Sequence, residues 1–182
     1  MLRLATYSSF HAAVVVVLLA GTATAASFIT KDDALARAFP NADVVRRAVT
    51  VSDEQALRIE SLSGDPLSSR LVYPYEAVID GQVTGTAYFD VHKVRTLPET
   101  LLIVVSTDGT VRSVEILAFN EPLEYMASDR WLDQFDGREL SERLMLRQDI
   151  DGITGATLTA RSITRAVRQT LAIHRVLNEG KP

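Results

Sequence analysis

The chain of 182 residues contains no cysteine. That absence excludes disulfides, thiolate metal sites, cysteine-ligated iron–sulfur clusters, a cysteine nucleophile and lipid attachment through an N-terminal cysteine. Histidine is scarce as well, with only His11, His92 and His174, so few imidazoles are present to serve as a general base. The G-x-S-x-G elbow, the H-E-x-x-H helix, the EF-hand loop, the Walker phosphate loop and the dinucleotide fingerprint G-x-G-x-x-G are all missing. An excess of positive charge is lacking too: the formal net charge is -4, and no basic stripe stands ready to displace the counterions of a nucleic acid. Glycine and proline are sparse, at 9 and 6 residues, which speaks against extensive disorder and favours an ordinary globule.

No apolar run reaches the ~20 residues needed to span a bilayer. The longest strongly apolar stretch, Ala12 to Ala20, follows the single charge Arg3 and precedes the small residues Ala23-Thr24-Ala25-Ala26. This is the order of an export signal. We expect residues 1–25 to be a signal peptide cleaved after Ala25, with an uncleaved membrane anchor as the alternative. The mature protein is then exported, and periplasmic in a host with two membranes. The remainder fits one domain of α+β class, with an N-terminal helical segment over 26–66 and the main domain over 67–182.

Thr30 before Lys31-Asp32-Asp33 opens a helix that Pro40 stops, and Ser52 with Gln55 has capping-box spacing for a second helix to about Leu62. Val44 to Val51 between them reads as a short strand or an extended link. Beyond the turn-rich Ser61–Pro66 the pattern changes to period two. Leu71 to Ile79 and Gln82 to Val91 flank Asp80-Gly81, and Thr100 to Ser106 and Val111 to Phe119 flank Asp108-Gly109. Two Asp-Gly hairpins in succession predict an antiparallel sheet flanked by helices. Pro74 places the first strand late or at an edge. Ser128 to Phe135 predicts a short helix with Trp131, Leu132 and Phe135 inward, and Glu139 to Leu146 a further short helix. A closing amphipathic helix begins near Thr157 or Leu158, with Ile163, Ala166, Val167, Leu171, His174 and Leu177 on its apolar face. Arg161, Arg165, Arg168 and Arg175 fall largely off that face and read as its solvated side, with a binding patch as the alternative.

Most candidate chemistry dissolves into packing. Asp129, Asp133 and Asp136 have the spacing of a helix surface and require no ion, and His174 is a core or boundary residue. His92-Lys93-Val94-Arg95 is a cationic cluster at a strand end, read as solvated loop charge or as a ligand contact. What stands out is Asp151-Gly152-Ile153-Thr154-Gly155-Ala156-Thr157-Leu158-Thr159, a hydroxyl-rich turn running into the last helix. In the plain reading Thr154 or Thr157 caps that helix and Gly155 makes a bend. In the chemical reading, the N–H groups and dipole at the helix start stabilise a phosphate there.

Asp151-Gly152-Ile153-Thr154-Gly155-Ala156-Thr157 resembles the flavinylation motif D-x-x-[ST]-G-A-[TS] of the FMN-binding domain family, and Leu158-Thr159 continues the likeness. Asn120-Glu121-Pro122 stands where many members have a Glu-Thr-Pro-Gly segment near the flavin, without its glycine. The family includes exported FMN-carrying subunits of membrane redox complexes. The resemblance implies covalent FMN, joined by a phosphoester to Thr157 by a Mg²⁺-dependent flavin transferase that uses FAD. It further implies that Asp151, Thr154 and Gly155 are the transferase's signal, and that Ala156, Leu158, Thr159, Glu121 and Tyr125 are cofactor neighbours. Tyr125 and Trp131 either flank the flavin ring or pack in the core. The implied role is an electron carrier with an unidentified redox donor and acceptor, membrane-bound, and no nucleic-acid partner. Non-covalent FMN binding and a non-redox binding or assembly module are the alternatives.

Overall fold

The computed structural model describes residues 29–180, so the expected export signal lies outside the described residues. Thr30 accepts from the Asp33 N–H and starts helix α1, Lys31–Ala38. Strands β1, Asp43–Arg46, and β2, Val49–Thr50, follow. Ser52 and Gln55 form the expected capping box on α2, Asp53–Ser63, which Gly64 ends in a left-handed conformation.

The stretch from Leu71 to Ile79 is two strands. Proline has no N–H for a ladder, and at Pro74 the chain divides into β3, Leu71–Val72, which pairs with β2, and β4, Tyr75–Ile79, which pairs with β1. Asp80 and Gly81 both take positive φ, 50° and 76°, as a tight two-residue hairpin turn requires, and lead into β5, Gln82–Lys93. Then come β6, Pro98–Val105, and β7, Val111–Phe119. The main sheet is wholly antiparallel, in the order β1-β4-β5-β6-β7.

Period two along β6 separates two cores. Leu101, Ile103 and Val105 face the larger one, which holds residues of α2, of α3 (Asp129–Leu132) and of α4 (Thr157–Asn178). Leu102 and Val104 face a smaller one closed by Ala34, Leu35 and Phe39 of α1 and its end. A central strand buried on both faces reads as the unbroken apolar run it is.

The helix expected over Glu139–Leu146 is absent; the segment is a series of turns. Leu140 and Leu144 are buried there, but the carbonyls of Ser141 and Leu144 accept from Arg168, where a helix would use them for its own amides. No helix among the described residues is long and apolar enough to cross a membrane.

Candidate functional site

The turn before α4 is held by main-chain atoms. The Asp151 N–H donates to Gln134 Oε1 at 2.9 Å, and Trp131 Nε1 donates to the Asp151 carbonyl at 2.8 Å. Trp131 itself packs edge-on against Phe135 at 5.5 Å, so it supports the turn from the core and lines no cavity beside Thr157. Gly155 lies at φ 81°, a left-handed conformation that costs a residue with a Cβ roughly 1 kcal/mol or more. The Ala156 N–H then donates to the Ile153 carbonyl at 3.1 Å.

The expected threonine cap does not form. Ala156 is the N-cap of α4, and no side chain caps the helix. Thr157 is the first helical residue, one position too late to cap. Its side chain is exposed, and its hydroxyl makes no hydrogen bond within the described residues. Asp151 and Thr154 are exposed as well. Thr159 behaves differently: it is 1% exposed, and its hydroxyl donates to the Tyr125 carbonyl at 2.7 Å, pinning α4 to the 3-10 turn Leu123–Tyr125.

A cavity of about 290 Å³ opens beside Thr157, walled by Val94, Arg95, Glu121, Tyr125 and residues 155–159. Of the nine residues expected at the site, Thr157, Gly155, Ala156, Leu158, Thr159, Glu121 and Tyr125 meet there, whereas Asp151 and Thr154 stay outside on the turn. Val94 and Arg95 complete the wall from the β5–β6 turn. Glu121 positions that turn: its Oε1 accepts from the N–H groups of Arg95, Thr96 and Leu97 at 3.2, 2.7 and 2.7 Å. The Thr96 and Leu97 N–H bonds lead in holding its carboxyl below the usual carboxylate range. Its contribution is therefore present above the ordinary carboxylate pKa and is lost as pH falls through the lower folded value. Glu121→Ala is expected to speed amide hydrogen exchange of residues 95–97 by about tenfold or more, as local protection depends on such bonds. Unchanged exchange would mean the turn stands without its clamp.

His92 is not solvated loop charge. Its Nδ1 lies 2.5 Å from Asp90 Oδ1 and its Nε2 3.0 Å from Glu99 Oε2, and Glu99 is fully buried, with Oε1 unpartnered. Burial alone would lower the imidazole pKa, but the hydrogen bonds and charges of Asp90 and Glu99 outweigh it and carry it up to about 9. The signal was in the register: β5 and β6 place His92 directly across from Glu99.

Arg168 also departs from expectation. It is 7% exposed, and its guanidinium donates to the carbonyls of Ser63, Ser141, Leu144 and Leu62 at 3.2, 2.6, 3.2 and 3.2 Å. Arg165 is paired with Asp65, and Arg161 and Arg175 are exposed as expected. His174 is the boundary residue foreseen, with its Nδ1 3.1 Å from the Tyr88 hydroxyl.

A turn clamped by a carboxylate, the 3-10 turn at Tyr125 and an open hydroxyl at a helix start thus enclose one cavity. Residues 97–172, from β6 through most of α4, match the FMN-binding domain family. The chain is similar to one of the subunits of the Na⁺-translocating ferredoxin:NAD⁺ oxidoreductase complex of Acetobacterium woodii, at 27% identity over 139 residues. That alignment covers 67% of this chain and 64% of the relative, so the chain spans just under two thirds of the relative's length.

Proposed function

We propose that this protein is an exported electron carrier whose FMN is joined through its phosphate to Oγ1 of Thr157. The observation that carries the proposal is the placement of that hydroxyl. It is exposed and unbonded, it stands at the uncapped start of a 22-residue helix, and it borders the cavity of a segment from the FMN-binding family. The uncapped first-turn N–H groups and the helix dipole favour an anion there.

In the attachment step the Thr157 hydroxyl gives up its proton and takes the FMN phosphoryl group from FAD, and AMP leaves; a Mg²⁺-dependent flavin transferase is the partner for this step. Asp151, Thr154 and Gly155 form the outward signal for that enzyme. Ala156, Leu158, Tyr125, Val94 and Arg95 would wall the flavin, with Glu121 and Thr159 holding the turn and the helix in place behind it. The bound flavin supplies one- or two-electron redox chemistry, and the protein supplies position and electrostatics. Likeness to a component of a membrane redox complex supports a membrane-bound donor and acceptor, and the expected export signal supports a periplasmic location. In this reading residues 1–25 are removed, 26–66 form the helical N-terminal part and 67–182 the FMN-binding domain.

The test is intact-mass measurement of protein produced together with a flavin transferase. A gain of FMN less one water, absent from Thr157→Ala, is expected. Unmodified wild-type protein would sink the proposal; flavin released on denaturation would point to non-covalent binding, and no flavin at all to a non-redox module.

A further inference from the structure

Thr157 borders two cavities. On the side away from Tyr125 lies a second groove of about 520 Å³, whose wall includes Arg147, Arg161, Arg165 and Arg168 but only one carboxylate, Asp65. The groove thus carries a surplus of three positive charges in a chain whose formal net charge is -4. Asp65 is already engaged in a two-pronged pair with Arg165, Nε to Oδ2 at 2.9 Å and Nη2 to Oδ1 at 2.5 Å. Arg168 is spent on four carbonyls. The side chains of Arg147 and Arg161 have no ion pair or hydrogen bond to any described residue.

Neither free guanidinium owes its place to a loose surface. Arg161 follows Thr157 by four positions on α4, so both side chains rise from the same face of the helix. Arg147 holds a left-handed backbone, φ 65°, and its N–H donates to the Ile150 carbonyl at 2.8 Å. A non-glycine residue in that region carries a conformational cost, and here it sets a cation in the wall of the groove that Thr157 also lines. Like charges so collected repel one another, and an anion between them relieves that repulsion.

We infer that Arg147 and Arg161 are the phosphoryl-binding residues of this site: the flavin occupies the cavity on the Tyr125 side, and its phosphate faces the arginine groove across Thr157. The inference rests on the proposed FMN site. It assigns the recognition of the flavin phosphate, probed with free FMN and present as a singly charged phosphodiester once attached, to two guanidinium groups and the start of α4. Guanidinium suits the task because its planar fork bonds phosphate oxygens in pairs.

The test uses the full chain in two arms that fail separately. In the first, protein made without a transferase is titrated with FMN and with riboflavin, which differ by the phosphate alone, and flavin fluorescence is followed. FMN is expected to bind about tenfold tighter than riboflavin, the scale of a single charge-assisted hydrogen bond. In Arg147→Ala/Arg161→Ala that preference should vanish while riboflavin affinity and the thermal midpoint hold, and Arg161→Lys should keep part of it. Equal binding of the two flavins by the wild type, no binding of either, or a preference that survives the double variant would overturn the inference. In the second arm, the mass gain with transferase decides whether Thr157 is the acceptor, so loss of that reading is seen independently of the first arm.

Discussion

Arg168→Leu is expected to destabilise the fold by about 3–5 kcal/mol, the scale of breaking a buried charged network on one side, read as a fall in the urea midpoint without a change in slope. The Leu62 and Ser63 carbonyls end α2, whose last turn contains no basic residue of its own. Orphan carbonyls at a helix end demand donors, and the negative end of the dipole favours a cation. Arg168 reaches from α4 to supply both, and with its remaining donors fixes the 141–144 turns. Burial pulls its pKa down, with the nearby Asp65 opposing that pull, yet a guanidinium stays protonated in proteins. Leucine fills the volume and leaves the carbonyls without donors at about 1–3 kcal/mol for each that water does not reach. Arg168→Lys retains the charge but loses the fork, and should recover only part of the loss. A cost below about 1 kcal/mol for the leucine variant would show that water replaces the guanidinium.

His92→Ala should cost about 3 kcal/mol for a related reason, since removing one member of a buried ion pair leaves the other uncompensated. What would be left here is two carboxylates, Asp90 partly buried and Glu99 wholly so. The wild type carries a pH signature of the same interaction. His92 titrates at about 9 in the folded chain against 6.5 ordinarily, so its folded form binds the proton more tightly than the unfolded one. Its stabilisation is fully present below about 6.5 and is lost as pH rises through about 9. Urea midpoints taken at pH 6, 8 and 10 should therefore fall more steeply in the wild type than in His92→Gln, and the imidazole resonances should titrate near 9. Parallel profiles in the two proteins would remove the ion pair from the account.

Local chemistry was legible where the bond that fixes it spans three residues. Thr30 and Ser52 cap the helices that their spacing to the next N–H groups foretold, and Asp80-Gly81 turns as its sequence requires. The 151–159 turn was legible as a motif, and residues 155 to 159 line one cavity. Arg168 was not, because its partners at Leu62 and Ser63 lie more than 100 residues away. A single-stripe reading of α4 also fails in principle: the helix packs against α2, β5 and β6, so its buried arc is wider than one stripe and takes in Thr164, Arg168 and Thr170. The run from His92 to Arg95 was seen as one cationic cluster, yet the end of β5 at Lys93 divides it. His92 turns in to Glu99, while Val94 and Arg95 go to the cavity beside Thr157. Only the cross-strand register, which needs the sheet assembled, makes that division visible.

The turn from Asp151 to Thr157 is anchored by its peptide groups to Gln134 and Trp131, and the side chains of Asp151, Thr154 and Thr157 hold nothing else in place. Inscription and frame are therefore separate in this protein. Letters on the turn can be rewritten while the scaffold beneath keeps its shape, so under the proposed attachment a change at any of those three positions reports on what is read or attached there and leaves folding out of the reading. Under the proposed attachment, the same separation lets the turn be marked after the chain has folded, since nothing in the core has to open for the Thr157 oxygen to be reached.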